Sequence, residues 1–316
     1  MTQILPNFKA VQDAHRRIAP HVHRTPVLTS SHMDNLSGAS LFFKCENLQK
    51  VGAFKARGAC NAVFALDDGA AGRGVLTHSS GNHGQALCYA AARRGIPATV
   101  VMPKNAPAPK KAAVLGYGGK VVECEPTSAA REATARQIQE ESGATFIHPY
   151  NDPDVIAGQG TCAMELLDQA DNLDALIAPI GGGGLISGTC IATRALAPEA
   201  MIYAAEPAGA DDAWQSLEAG RIVPQDNPQT IADGLRTGLG DITWHFGSRD
   251  LEAIYLAGER EIIAAMRLIW ERMKLVVEPS AAVPLAAILS NPVPFRGRRV
   301  GLILSGGNVD LTALPF

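Results

Sequence analysis

Short runs of β-branched and other apolar residues alternate along the chain with longer Ala-rich stretches whose apolar positions recur at helical spacing. Residues 84–94 (GQALCYAAARR) predict a helix that stops at Gly95, and residues 98–102 (ATVVM) predict a strand closed by Pro103. The same beat predicts helix then strand at 110–115 and 120–123, 128–142 and 145–148, 158–170 and 175–179, and 186–197 and 201–205. Strands alternating with helices of this length form units around mostly parallel sheets with helices on both faces, so the expected class is α/β. No Pro/Gly/Ser-rich linker divides the chain, so two domains would require the chain to cross between them more than once. The least regular stretch, 208–240, is rich in Asp, Gly and Pro and too long for a plain connection, which marks it as a candidate for function.

Composition narrows the classes. With 316 residues, 47% hydrophobic and 19% charged, and a net charge of −3, the chain can bury a large core and shows no bias toward nucleic acid or an acidic membrane surface. The short basic cluster of Arg296, Arg298 and Arg299 reads as a solvated turn before a strand at 300–304. The first residues lack the basic-then-apolar layout of a signal peptide, and no apolar run approaches membrane-spanning length. Six cysteines at wide, irregular spacing, with no CxxC, suggest buried free thiols in a reducing compartment, so the expected location is the cytoplasm.

Five motifs carry chemistry. In residues 51–58 (VGAFKARG), Lys55 follows a glycine-containing turn at the start of a helix expected over 56–66. The helix N-terminus disfavours a cation there and helps keep the amine neutral, the form that attacks a carbonyl; the bland alternative is a solvated surface lysine. Residues 77–84 (THSSGNHG) lie between a strand at 74–77 and a helix, where N–H groups at a helix start can hold a carboxylate; an ordinary N-cap explains only one of these polar residues. In residues 179–185 (PIGGGGL), four consecutive glycines let the backbone approach a phosphate closely. The loop is neither a P-loop, lacking Gly-Lys-Ser/Thr, nor a good dinucleotide fingerprint. Residues 303–309 (ILSGGNV) place Ser305 at a strand's carboxyl end, where open α/β sheets bind ligands. Glu206 and Asp212, with an intervening carbonyl, supply oxygen ligands for a hard cation or form a solvated acidic turn.

Taken in this order, from residues 23–27 (HRTPV) to residues 305–308 (SGGN), these motifs resemble the serine racemase and serine/threonine dehydratase family, which includes 3-hydroxyaspartate dehydratases. These are pyridoxal-phosphate (PLP) enzymes of fold type II. The resemblance implies a tryptophan synthase β-like architecture of two domains, each an open, mostly parallel sheet flanked by helices. A large PLP domain would comprise 1–72 and 149–316, and a small substrate-loop domain 73–148. It implies that Lys55 carries the cofactor, although Ala53 stands where many members have Ser, and that Phe54 packs beside the ring. It assigns the cofactor phosphate to Gly181, Gly182, Gly183, Gly184 and Leu185, the ring 3′-oxygen to Asn82 and the pyridine nitrogen to Ser305. Ser79, Ser80, Asn82 and His83 match the substrate-carboxylate loop, and Ser80 is similar to the residue that moves a proton on the face opposite the lysine. Glu206, Ala210 and Asp212 match the divalent-cation site (Mg2+ or Mn2+) of serine racemases. Gln85, Tyr117, Lys274 and Asn308 match positions lining the ATP effector site of some serine racemases, implying a nucleotide effector, or else an interface. The family also suggests a homodimer.

The implied activity is a dehydratase (ammonia-lyase): loss of water from a β-hydroxy amino acid to give a keto acid and ammonia. Lys55, once neutral, would take the Cα proton, and a neutral hydroxyl at Ser305 weakens the electron sink and favours prompt loss of the leaving group. Ser80 on the other face would also permit racemisation, so serine racemase is the alternative main activity. Arg131 matches a position that reaches a substrate's second carboxylate, and Arg236 and Thr237 lie in a segment that approaches the substrate. A guanidinium suits 3-hydroxyaspartate better than threonine's methyl, which orders the substrates as 3-hydroxyaspartate, L-serine, L-threonine, unless Arg131 only pairs with a helix-face glutamate. A different-class rival is an NAD- or nucleotide-binding protein that uses the tetraglycine loop.

Overall fold

A computed structural model describes residues 5–79, 81–106 and 108–316, with Pro109 and Ser128 described by their backbone alone. Helix α1 (Phe8–Ile18) is followed by strand β1 (Val27–Leu28), helix α2 (Ser31–Ser37), strand β2 (Ser40–Cys45) and helices α3 (Lys55–Ala65) and α4 (Asp68–Gly72). Next come β3 (Val75–His78), α5 (Asn82–Arg94), β4 (Ala98–Pro103), α6 (Ala108–Gly116), β5 (Lys120–Cys124), α7 (Ser128–Ser142) and β6 (Thr145–Phe146). The chain continues through α8 (Pro153–Gln169), β7 (Ala175–Pro179), α9 (Gly184–Leu196), β8 (Met201–Pro207), α10 (Asp212–Ala219) and α11 (Asp241–Asp250). It ends with β9 (Ala253–Ala257), α12 (Glu259–Leu268), α13 (Pro279–Ser290) and β10 (Arg299–Leu304).

The strands form two sheets. One has the order β1-β2-β10-β7-β8-β9, parallel except for the antiparallel edge pair of β1 with β2; the other has the order β5-β4-β3-β6 and is wholly parallel. A parallel sheet buried on both faces must send successive side chains into two separate cores. Ala175, Ile177, Val300, Leu302 and Leu304 join the core made with α12 and α13, while Leu176, Ala178 and Ile303 join the core made with α8 and α9. A third core packs α3 and α5 on Val75, Val100 and Met102, and a fourth packs α7 on Leu76 and Val101. The stretch 208–240 is less irregular than expected: α10 lies within it.

Two features fix α3, the helix that begins with Lys55. A Cβ on Gly158 of α8 would lie 2.6 Å from Gly58 Cα, so the two backbones touch. Alongside, Arg57 is fully buried and forks onto two carboxylates, Glu46 (2.7 and 2.8 Å) and Glu165 (2.8 Å twice), while Lys44 Nζ reaches Glu165 at 2.7 Å. The arginine therefore ties α3 to α8 and to the end of β2. All six cysteines are buried and free. Among the described residues, no helix is long and apolar enough to cross a membrane.

Candidate active site

Parallel strands direct their carboxyl ends to one edge, and the connections leaving β2, β10 and β7 meet there with those leaving β3 and β6. Val51 and Gly52, with φ of 55° and 68°, form a left-handed turn before Lys55. That conformation is costly for a β-branched residue and persists because neighbours enforce it. Asn308 Nδ2 donates to Val51 O (2.8 Å), and Gly307 N donates to Gly52 O (2.9 Å). Ala53 bridges Gly306, and Phe54 N donates to Ser305 O at 3.0 Å. The lysine motif and the serine motif are thus zipped together, and Ser305 is buried.

Lys55 Nζ donates to Pro149 O at 2.8 Å and lies 5.0 Å from the Phe54 ring centre. Its pKa is lowered to about 8 by burial, with Glu278 pulling the other way. The sequence alone credits the helix N-terminus with this effect; in the structure burial is the leading cause. Asn82 begins α5 and has its amide fixed on both sides. Its Nδ2 donates to both oxygens of Glu278 (3.0 and 3.1 Å), and its Oδ1 accepts from Asn308 Nδ2 at 2.9 Å. Glu278 is buried at the start of α13, and burial, followed by the nearby charge of Asp233, raises its pKa to about 7.

In the second loop, Ser79 Oγ accepts from Gly81 N at 3.2 Å, while Ser80 lies outside the described residues. His83 is buried, its Nε2 is 3.3 Å from Ile147 O, and its Nδ1 has no hydrogen-bond partner among the described residues. Burial, then the charge of Lys55, holds its pKa well below the usual histidine value, so the ring is neutral and Nδ1 is a waiting acceptor. His148 is likewise held at about 4 by burial, then by the charges of His78 and Lys55; its Nδ1 accepts from Asn151 N at 2.9 Å.

The tetraglycine loop leads into α9, with Gly183 at φ 87° as N-cap. The first N–H groups of a helix have no partner within it, so those of Gly184, Leu185 and Ile186 are available to an anion. The Leu185 side chain points away into the core, leaving only its backbone for such a role. Thr237 Oγ1 borders the loop, 3.3 Å from where a Cβ on Gly181 would lie. Arg236 folds back to donate to Thr230 O (Nε at 2.9 Å) and is exposed. Arg131 lies on the first turn of α7, half-buried, where its charge acts on His78 and Tyr150.

Glu206 is buried and accepts Ala213 N (3.0 Å) and Trp214 N (2.9 Å); burial raises its pKa to about 9. Asp212 accepts Gln225 Nε2 at 2.6 Å on one oxygen, while its buried Oδ2 has no hydrogen-bond partner among the described residues. Burial raises Asp212 to about 6. Burial raises both acids, and the Asp212 Oδ2 left without a hydrogen-bond partner among the described residues is an oxygen of the kind a hard cation takes. Among the described residues, no group of three or more His, Cys, Asp or Glu is placed to hold a metal, so a cation there would need carbonyl or water oxygens as well. Of the proposed effector residues, Asn308 is absorbed into the Lys55–Asn82 cluster. Tyr117 packs edge-on against Tyr89 at 6.0 Å, Gln85 is buried in α5, and Lys274 Nζ folds onto Glu271 O at 2.7 Å.

Sequence reasoning missed Glu278, the Pro149 carbonyl, Tyr150 and Asn151. The available signals were weak: Glu278 precedes a proline at a helix start, and residues 148–152 (HPYND) are a polar–aromatic run after a strand.

A family model described as "pyridoxal-phosphate dependent enzyme" matches residues 18–306. The chain belongs to this family of PLP-dependent enzymes. A β-hydroxyaspartate dehydratase of Paracoccus denitrificans is 57% identical over 312 residues, covering 99% of each chain. A serine racemase of Dictyostelium discoideum is 49% identical, covering 97% of this chain and 96% of its own. Its crystal structure superposes with a TM-score of 0.93 over 97% of this chain and 99% of that one. The crystal structure of a T.th. threonine deaminase does so with a TM-score of 0.93 at 45% identity, over 98% of this chain and 100% of that one. Membership of the PLP-dependent family, with neighbours this close, makes the fold type II.

Proposed function

We propose that this PLP-dependent enzyme is a dehydratase that eliminates water from a β-hydroxy amino acid, with 3-hydroxyaspartate preferred over L-serine and L-threonine third. One observation carries the reading: Pro149 O holds the Lys55 amine while the next residue, Tyr150, lies against Gly182 and Gly184, so one short segment joins the amine to the anion-binding loop. The 57% identity to a β-hydroxyaspartate dehydratase supports the substrate.

In this assignment Lys55 carries PLP beside Phe54, the N–H groups of residues 181–185 hold its phosphate, Asn82 meets the ring 3′-oxygen and Ser305 the ring nitrogen. Once bound, the cofactor supplies the electron sink for a negative charge at Cα. Lys55, with a pKa near 8, removes the Cα proton on one face. Ser79, Asn82 and the neutral His83 bind the α-carboxylate beside the N-terminus of α5, with Ser80 as the acid of the opposite face. Arg131 binds the second carboxylate, and Thr237 closes the pocket beside Gly181. Glu206, Asp212 and the carbonyl of Ala210 hold Mg2+ or Mn2+. Residues 73–148 act as the small substrate-loop domain. We place the enzyme in the cytoplasm, as its six buried thiols suit a reducing compartment, and as a homodimer open to a nucleotide effector.

Ammonia and keto-acid release should be measured with the 3-hydroxyaspartate diastereomers, L-serine and L-threonine, with Mg2+, with Mn2+ and with a chelator. The protein should be yellow, and borohydride should fix the cofactor on Lys55. A colourless protein that binds NAD, or D-serine formation outrunning ammonia release, would sink the assignment. Arg131→Ala should lower kcat/KM for hydroxyaspartate about 10–100-fold, the range of a lost charged hydrogen bond, and spare serine. Equal losses on both substrates would remove Arg131 from the specificity argument.

The pH dependence of cofactor capture follows from the lowered lysine. The attacking form is the neutral amine, so the uptake rate of the apo-protein should rise about tenfold per pH unit below about 8 and level off above it. Glu278 opposes the lowering, so Glu278→Gln should move the break to lower pH. Stopped-flow absorbance in the visible reads both.

A further inference from the structure

We propose that Tyr150 is a positioning residue for the cofactor: its ring is the floor of the tetraglycine loop, and position 182 is glycine because of that ring, and position 184 because of the same residue's Cβ and backbone, rather than because of the phosphate. This rests on the assignment of the loop to the cofactor phosphate.

Each glycine of the loop meets a different constraint. A Cβ on Gly182 would lie 2.4 Å from Cγ and Cδ1 of the Tyr150 ring and 2.5 Å from its Cε1. On Gly184 it would lie 2.9 Å from Tyr150 Cβ and 3.0 Å from Tyr150 Cα. Gly181 instead abuts Leu235 Cα (2.9 Å), and Gly183 abuts Thr243 Cβ (2.7 Å). The two alternate glycines thus share one partner, and that partner cannot easily give way. The Tyr150 ring stands edge-on to His148, with centres 4.6 Å apart and planes at 90°. The next residue in the chain, Asn151, is clamped, its Oδ1 accepting Ile242 N (3.0 Å) and its Nδ2 donating to Asp241 Oδ1 (2.7 Å). Asp152 then caps α8 by accepting Asp154 N and Val155 N at 2.9 and 3.0 Å. Four successive glycines are the most flexible sequence a chain can present, yet an anion cup needs its N–H groups held still. A ring braced by His148, on a segment pinned at Asn151, supplies the missing surface, and its apolar face does so without the hydroxyl.

The test is a double-mutant cycle on PLP affinity, read by visible absorbance titration of apo-protein, with each variant's unfolding midpoint measured separately. Tyr150→Phe should bind PLP within about twofold of wild type, Tyr150→Ala about 10–100-fold more weakly, and Gly182→Ala more weakly still. In the Gly182→Ala background, adding Tyr150→Ala should tighten PLP binding, inverting the sign of its effect. At saturating PLP, Tyr150→Ala should regain wild-type kcat within a few-fold, because the ring acts on affinity. Additive losses in the cycle, or Tyr150→Phe as weak as Tyr150→Ala, would overturn the proposal. If wild type itself took up no PLP, the assignment of the loop to the phosphate would fail instead.

Discussion

Lys55→Ala should give a folded protein that takes no cofactor covalently and releases keto acid at least about 10³-fold more slowly than wild type. The size follows from the two roles proposed for Lys55, cofactor attachment and Cα-proton acceptor, since a positioned acid or base alone contributes about 10²–10⁴-fold. Folding should survive. The amine donates to Pro149 O, its one hydrogen bond among the described residues, and its charge is disfavoured by burial, while alanine is a better residue for a helix start than a desolvated lysine. The thermal midpoint should therefore hold or rise while borohydride labelling disappears. Turnover within tenfold of wild type in a protein of unchanged midpoint would show that another group moves the proton.

The largest effect on stability is expected two residues further on. Arg57→Met leaves Glu46 and Glu165 buried with their shared guanidinium gone, and Lys44 is the one remaining cation paired with Glu165 among the described residues. Breaking a buried pair by removing one partner costs about 3–5 kcal/mol, a large part of the 5–15 kcal/mol that typically holds a domain folded. Arg57→Lys keeps the charge but loses the fork that meets two carboxylates at once, so it should recover only part of this loss. Replacing the whole network with apolar residues of similar size (Lys44→Met, Glu46→Leu, Arg57→Met and Glu165→Leu together) should recover most of it, because no charge is then left unpaired. Urea unfolding of the three variants reads the order; a quadruple variant no better than Arg57→Met alone would show that the cost lies in packing.

Periodicity made the regular elements legible. Residues 128–142 and 175–179 coincide with α7 and β7, and Gly95 does stop α5, by adopting the left-handed conformation. Periodicity failed where burial is not one-sided. Helix α8 begins at Pro153, five residues before the expected start, because it is packed on several sides and shows little amphipathic contrast; the Asp152-Pro153 cap was the signal to follow. The strand expected at 145–148 is regular only over Thr145 and Phe146, with Ile147 N still donating to Leu76 O at 2.8 Å, since the chain must then turn to place Pro149 and Tyr150. Of the candidate site, the loops with unusual composition were readable because glycine, serine and asparagine are turn chemistry wherever they occur. What could not be read was long-range. Glu278 meets Asn82 across 196 positions, and Arg57 meets Glu165 across 108, by virtue of strand order and helix packing alone.

The strand order has a consequence for the making of the protein. β10 is the last strand in chain order, yet it sits between β2 and β7, and the residues that follow it hold Val51, Gly52 and Phe54 in place. While residues 299–308 are still in the ribosome, β2 and β7 have open edges facing each other and the turn before Lys55 has no clamp. Open parallel edges invite pairing with other chains. With the cofactor on Lys55 as proposed, loading follows synthesis of β10, and chains stalled before that point expose both unpaired edges at once.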